Sequence, residues 1–395
     1  MVRRRRKAGR LSTCRFARFD GRIAMIKAPE KKIRVLVVDD SAFMCKVLKE
    51  IINSDPQLEV VGQGRDGRDG VALAESLRPD VITMDINMPH VDGLQATELI
   101  MSQHPRPIVI VSSESREGAA STLRALELGA IDFVPKPSSG IDLDMRTVRE
   151  ELTRKLKLAA KVRVVRTATR SKLTMAQTPV HVASDFTGGA ALPDYGGGKF
   201  PMIVIAASTG GPAAVTRVVA GLPKGLPAAV FLVLHMPAPF TKQFTAQLAD
   251  VAALQVKEAE ANEPPQPGTI YLCPGSHHLR LSMSGKIWLD SGPRIDGYRP
   301  CADVALETVA AHARALTVAV VLTGMGNDAA KGVRSVKAAG GYVVAQDEAT
   351  SVIFGMPAEA IQTGVVDEVL ALDDISVAIG KRIAKMCRLV PVAAR

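Results

Sequence analysis

Residues 33–41 read IRVLVVDDS and residues 81–93 read VITMDINMPHVDG. Two short β-branched runs each stop on carboxylates, Asp39-Asp40 in the first and Asp85 in the second. Working outward, residues 109–113 (VIVSS) end on hydroxyls, and residues 130–139 (AIDFVPKPSS) carry Lys136 just past a fifth apolar run. Between them lie longer amphipathic stretches, the alternation expected of a parallel sheet covered by helices. The predicted strands are Ile33–Val38, Val60–Gln63, Val81–Met84, Ile108–Val111 and Phe133–Val134, followed by a closing helix on which Val148, Leu152, Leu156 and Ala159 share one face. In such a sheet the carboxyl ends of neighbouring strands open onto one crevice. Asp39, Asp40 and Asp85 would meet there. Three clustered carboxylates repel one another unless a cation compensates, and a hard, oxygen-seeking ion such as Mg²⁺ suits them. Lys136 is placed to neutralise a phosphoryl group on Asp85, and Ser112 to hydrogen-bond it.

A second series of apolar runs begins at Pro201, with strands predicted over Met202–Ala206, Val230–Leu234, Thr269–Leu272, Lys286–Leu289, Val318–Leu322 and Tyr342–Ala345. Three of these runs lead into chemically useful residues: Ser208-Thr209-Gly210-Gly211, His235-Met236-Pro237 and Met325-Gly326-Asn327-Asp328. If the strands are parallel, Ser208, His235 and Asp328 share one edge. A serine needs an adjacent base to become a nucleophile, and the base needs an orienting acid. A helix starting at Gly210-Gly211-Pro212 would add amide N–H groups that stabilise negative charge. The same geometry could cradle a nucleotide phosphate, but STGG is not GxGxxG and His235 stands where a ribose-binding acid is expected. The GxSxG elbow is also absent. Asp347, after another strand, is the alternative acid. His277 and His278 are read as turn residues before a strand, and His312 as a surface position on a helix.

Composition bounds the rest. A chain of 395 residues with 47% hydrophobic and 23% charged residues suggests at least two globular units. No apolar run approaches the ~20 residues of a membrane span. The net charge of +10 is carried by residues 1–32, which hold twelve Lys/Arg against Asp20 and Glu30. That segment is expected to be a disordered basic tail, with Met25 an alternative start and no secretory signal. The remainder is neutral, which argues against nucleic-acid binding. Five scattered cysteines show no metal-binding spacing and fit reduced thiols in the cytoplasm. Residues 163–199, rich in Ser, Thr and Gly and closing on Gly196-Gly197-Gly198, read as a linker. The organisation is therefore a tail (1–32), a first α/β unit (33–162), a linker (163–199) and a second α/β unit (200–390). Both units are expected to be doubly wound parallel sheets, flavodoxin-like and Rossmann-like respectively.

The motifs VLVVDDS, ITMDINMPHVDG, VIVSS and AIDFVPKPSS resemble response-regulator receiver domains. That resemblance implies phosphorylation of Asp85 by a histidine kinase, and Mg²⁺ held by Asp40, Asp85 and the Asn87 carbonyl with Asp39 completing the pocket. It also implies a switch pair of Ser112 and Phe133, with Lys136 binding phosphate. AASTGGP, LVLHMPAPFT, KEAEANE, YLCPGSHHL, YRPCADVAL, VLTGMGNDAAKG, AQDEATSVIFGMP and EAI together resemble the catalytic domain of the chemotaxis protein-glutamate methylesterase family. This second resemblance implies Ser208 as nucleophile, His235 as base, Asp328 as orienting acid, the Met325 amide as oxyanion donor and Thr209 beside the nucleophile. The ester hydrolysis it implies needs no cofactor. Its substrates would be methylated glutamates of methyl-accepting chemoreceptors, with glutamine deamidation at the same site, and the unphosphorylated receiver would cover the crevice. Ala206 and Tyr298 depart from the family pattern, where Gly and His are common. Rival readings are a receiver-gated hydrolase with another substrate, a DNA-binding regulator with a basic arm, and a non-catalytic binding module.

Overall fold

The computed structural model describes residues 15–19, 22–26, 31–113, 115–136, 145–162 and 200–388. The proposed linker at 163–199 lies outside them. Within the segment read as a disordered tail, β1 (Arg15–Phe19) and β2 (Arg22–Ile26) pair as an antiparallel hairpin. The sequence does contain a signal for it: Asp20-Gly21 is a two-residue turn dipeptide between apolar stretches.

The first α/β unit runs β3 (Ile33–Val38), α1 (Ala42–Asn53), β4 (Leu58–Gly64), α2 (Gly67–Leu77), β5 (Val81–Met84), α3 (Gly93–Gln103), β6 (Ile108–Ser112), α4 (Arg116–Glu127), β7 (Asp132–Pro135) and α5 (Met145–Ala159). Its five strands are all parallel in the order β4-β3-β5-β6-β7, the doubly wound flavodoxin-like arrangement. Strands β3, β5 and β6 are buried over nearly their whole length, which explains why they read as continuous apolar runs rather than alternating ones. Side-chain caps begin the helices: Ser41 accepts from the Met44 amide, Asp66 from Asp69, Asp92 from Gln95 and Ser115 from Gly118.

The second unit contains β8 (Met202–Ala207), α6 (Gly211–Ala220), β9 (Ala229–Leu234), α7 (Ala238–Val251), β10 (Gln255–Glu258), β11 (Thr269–Leu272), β12 (His278–Leu281), β13 (Ile287–Asp290), α8 (Ala302–Ala313), β14 (Thr317–Val321), α9 (Ala330–Ala338), β15 (Tyr342–Gln346), α10 (Met356–Gln362), β16 (Glu368–Leu370) and α11 (Leu372–Arg388). Seven strands form a parallel sheet in the order β10-β11-β9-β8-β14-β15-β16. The chain steps outward from β8 in one direction and from β14 in the other, so the topological switch point lies between them. The run expected as a strand over Lys286–Leu289 forms one, but outside this sheet: β13 pairs antiparallel with β12, and His278 opens β12 fully buried rather than sitting in a turn. The short strands β10 and β16 at the two edges carry too few apolar residues to be legible. His312 is half-buried, with Gly285 packed against its imidazole.

The two units share a core. One buried apolar cluster runs from Leu36, Ile82 and Phe133 of the first sheet to Leu234 of the second sheet and Phe240 and Phe244 of α7. Helix α4 packs on α6 and α7. Among the described residues no helix is long and apolar enough to cross a membrane.

Helix α3 starts directly behind Asp85: a Cβ on Gly93 would lie 2.0 Å from the Asp85 carbonyl oxygen and 2.7 Å from the Ile86 Cα. Backbone cannot yield as a flexible side chain would. Gly93→Ala should therefore cost about 1–3 kcal/mol of stability, read as a lowered midpoint in urea denaturation followed by circular dichroism.

Candidate functional site: two strand-end crevices

The first crevice lies at the carboxyl ends of β3, β5 and β7. Asp39 and Asp85 are buried and Asp40 is exposed, and one carboxylate oxygen from each falls within 4.8 Å of the other two. The Lys136 Nζ sits 2.9 Å from Asp39 Oδ2 and 2.8 Å from Asp85 Oδ2. Burial raises the Asp85 carboxyl above its usual range, and the hydrogen bond and charge of Lys136 only partly oppose this. One ammonium does not balance three carboxylates, and an all-oxygen donor set fits a hard divalent cation. Asn87, two residues beyond Asp85, is exposed at the same mouth. The Ser112 hydroxyl is buried and donates to the Gly118 carbonyl at 3.3 Å. Phe133 is buried at the next strand.

The second crevice lies at the switch point of the larger sheet, where the ends of β8, β9 and β14 bring Ser208, His235 and Asp328 together. Parallel register does this: Ala207 pairs with Leu234, and Val321 with Ala206. After β8 the chain turns at Gly210, whose φ of +74° is a left-handed value that glycine adopts without a Cβ penalty. Helix α6 then starts with Pro212 in its first turn, directing amide groups toward the serine loop. His235 Nε2 is 2.7 Å from Asp328 Oδ2, leaving its buried Nδ1 as the nitrogen without a protein partner.

Asp328 is the best-anchored group in the site. It accepts from the amides of Ala302 (2.7 Å), Asp303 (2.9 Å) and Ala329 (2.9 Å), and from the Cys301 thiol (3.2 Å). Burial would raise its pKa, but the hydrogen bond and charge of His235 and the backbone donors outweigh it and hold the carboxyl at about 2. Neighbouring Asp303 moves oppositely, pushed up to about 6 by burial, with its Gly332 amide bond opposing and the charge of Asp328 adding. Asp347, the alternative acid, instead accepts from the amide and hydroxyl of Thr350, away from the histidine.

Several contacts with no sequence signal complete the arrangement. The Thr209 hydroxyl donates to Asp132 Oδ2 of the first unit. Asp132 is held in turn by Lys155, whose buried Nζ lies 3.0 Å from Asp132 Oδ1, 3.1 Å from Glu151 and 2.6 Å from the Phe133 carbonyl oxygen. Phe133 stacks on Phe240 of α7 with centroids 4.4 Å apart. Ser208 and His235 consequently face a cavity of only about 10 Å³, shared with Asp132 and Phe133. Their positions depend on how two distant segments pack, which no local pattern records.

A doubly wound sheet with an acidic, lysine-bearing crevice, docked through Asp132 and Phe133 on a second sheet with a Ser-His-Asp crevice, defines the class: a receiver-like unit coupled to a serine hydrolase-like sheet. Comparisons with known proteins agree with that class. Residues 35–148 match the response regulator receiver domain and residues 203–379 the CheB methylesterase family. The chain is 44% identical over 349 residues to the protein-glutamate methylesterase/protein-glutamine glutaminase of Pyrococcus abyssi, covering 87% of this chain and 92% of that one. It is 42% identical to the protein of the same name from Symbiobacterium thermophilum, over 90% of this chain and 98% of that one. Among solved structures, the Thermotoga maritima CheB methylesterase catalytic domain is 40% identical, covers 47% of this chain and 99% of that chain, and superposes with a TM-score of 0.45. The chain belongs to the protein-glutamate methylesterase/protein-glutamine glutaminase family.

Because folding lowers the Asp328 pKa from its ordinary 3.8 to about 2, the ionised carboxylate contributes stability above about pH 4 that is lost as pH falls through 2. Asp328→Asn should remove about 2–3 kcal/mol at pH 7. The gap from the parent should be narrower at pH 3, as read from paired urea titrations.

Proposed function

We propose that the protein hydrolyses glutamate methyl esters on chemoreceptors, and deamidates receptor glutamines at the same site, under control of phosphorylation at Asp85. The observation that carries this reading is the 2.7 Å His235–Asp328 pair beside Ser208 at the switch point, packed against the receiver strand that ends at Lys136. Family membership supports the substrate.

In this mechanism the Ser208 hydroxyl attacks the γ-carbonyl carbon of a methylated glutamate. Its proton passes to His235 Nδ1, since Nε2 is engaged by Asp328. The resulting imidazolium is stabilised by a carboxylate that stays ionised. The carbonyl electron pair moves onto oxygen, where the Met325 amide and the start of α6 supply positive dipole, with Thr209 flanking the nucleophile. The tetrahedral adduct collapses, the C–O bond to the methoxy group breaks, and the imidazolium protonates the departing oxygen to give methanol. Water, deprotonated by His235, then attacks the acyl-serine carbonyl; the adduct collapses with cleavage of the bond to Ser208 Oγ, the imidazolium returns its proton to that oxygen, and glutamate is released. With glutamine the leaving group is ammonia.

In the receiver, Asp85 would take a phosphoryl group from a histidine kinase. Asp39, Asp40, Asp85 and the Asn87 carbonyl would hold Mg²⁺, which when bound neutralises charge on the phosphoryl oxygens. Lys136 would exchange its carboxylate partners for phosphate, and Ser112 and Phe133 would act as the switch pair. A phosphoryl group on Asp85 adds roughly −1.5 to −2 charge at the end of β5, against Lys136 at the end of β7. The same strand carries Asp132 and Phe133 into the esterase crevice. A cavity holding about one water has no room for a glutamyl methyl ester. The unphosphorylated form is accordingly closed, and phosphorylation opens it. The setting this implies is the cytoplasm, with the kinase and the receptors as partners and no nucleic acid involved.

Methanol release from methylated receptor membranes tests the reading. Ser208→Ala or His235→Ala should lower turnover by about four to six orders of magnitude; near-parental release from Ser208→Ala would remove the serine from its role. Asp85→Asn should abolish labelling by a radioactive phosphodonor in the presence of Mg²⁺. Asp132→Ala, which frees Thr209, should raise release without phosphodonor about fivefold or more. Unchanged basal release would detach the interface from control.

A further inference from the structure

Tyr298 lies outside the Ser-His-Asp set, yet its ring covers the histidine. Its centroid is 4.3 Å from that of His235 and the planes are 20° apart. We propose that Tyr298 is a positioning residue for the base, a role that rests on the esterase reading above. By stacking on one face of the imidazole it fixes the ring so that Nε2 meets Asp328 and Nδ1 alone is presented to Ser208.

The local structure is built to hold that ring. Ile295 and Tyr298 exchange both backbone hydrogen bonds, at 3.0 and 2.9 Å, across Asp296-Gly297, both of which have positive φ. This is the tight two-residue turn that Asp-Gly favours, and it leaves Tyr298 little backbone freedom. The next residues, Cys301, Ala302 and Asp303, are the donors that grip Asp328. One continuous segment therefore anchors the acid and covers the base. On the far side the Tyr298 hydroxyl packs on Gly326, where a Cβ would come within 2.0 Å of it, so the ring also abuts the loop carrying Met325. Gly326 has φ +90° and supplies the room. The Arg154 side chain of α5 interacts with the same hydroxyl, which brings the receiver into contact with the ring.

The chemistry explains why an aromatic face is useful there. A histidine held by one hydrogen bond can rotate about its side-chain torsions and expose either nitrogen. Stacking removes that freedom. As the imidazole gains the serine proton it becomes a cation, which an aromatic face attracts. The interaction is thus stronger in the transition state than in the resting enzyme, the condition for raising kcat rather than lowering KM.

The test uses the full-length protein, saturated with a small acyl-phosphate donor and Mg²⁺, with methylated receptor membranes as substrate. Tyr298→Leu should lower kcat about tenfold with KM within about twofold of the parent. Tyr298→Phe, which keeps the stacked face, should restore kcat to within about twofold. Tyr298→Met serves as a second non-aromatic variant if the leucine protein fails to fold by circular dichroism. Independently of turnover, ¹⁵N-imidazole NMR should show a single Nε2-protonated tautomer of His235 in the parent and Tyr298→Phe, and a tautomer mixture in Tyr298→Leu. A parent protein that releases no methanol overturns the esterase reading, and the tautomer signal then decides the positioning role alone. Parental kcat in Tyr298→Leu, an effect confined to KM, a loss in Tyr298→Phe equal to that in Tyr298→Leu, or an unchanged tautomer would each overturn the proposal.

Discussion

A buried carboxylate that must stay charged is the constraint around which the second crevice is built. Asp328 stands at the end of β14 with its side chain almost wholly out of water, and an unpaired charge there would be prohibitively costly. Three backbone amides, a thiol and an imidazole meet that demand. Each donor comes from a segment whose own course is thereby fixed: the start of α8, the start of α9 and the end of β9. The acid organises the site before any substrate arrives, because its donors tie three separate chain segments to one point.

Asp303 sharpens the point. It neighbours Asp328, is also buried though slightly less so, and moves toward the protonated form while Asp328 moves away from it. The difference lies in the donors. Asp303 accepts from the Gly332 amide and feels only the opposing charge of nearby Lys331, whereas Asp328 is hydrogen-bonded to the imidazole itself. Two acids in one pocket need not both ionise, and the one facing the histidine takes the charge.

The two crevices are joined by a short piece of chain. Strand β7 places Asp132 and Phe133 against the hydrolase side and leads directly into Lys136 at the acidic pocket. The Lys155 ammonium, buried and shared between Asp132, Glu151 and the Phe133 carbonyl, keeps the near end of that strand rigid. In the proposed control, a displacement at Lys136 would reach Asp132 through packed backbone rather than loose side chains. The continuous apolar cluster across both units makes the contact a preferred docking, and Phe133 stacks on Phe240 within it.

Sequence alone determined that there are two parallel α/β sheets, because buried strands need apolar runs and the runs end where polar residues begin. It also determined the strand-end chemistry: Asp39, Asp40, Asp85 and Lys136 at one edge, Ser208, His235 and Asp328 at the other. Parallel pairing brings strand ends together, so position in the chain translates into position in space. What the sequence did not contain was everything set by packing between segments far apart. Asp328 rather than Asp347 meets the histidine because β14, not β15, adjoins β8. The strands β12 and β13 leave the main sheet because they pair with each other. Asp132, Phe240 and Tyr298 lie within the quoted motifs, but no motif records their contacts to Thr209, Phe133 and His235, which arise only when the two sheets dock and the 295–303 segment folds over the site. Periodicity and spacing encode local structure and its ends, whereas the partner of a buried polar group or ring is chosen by the tertiary fold, where satisfying it lowers the free energy most.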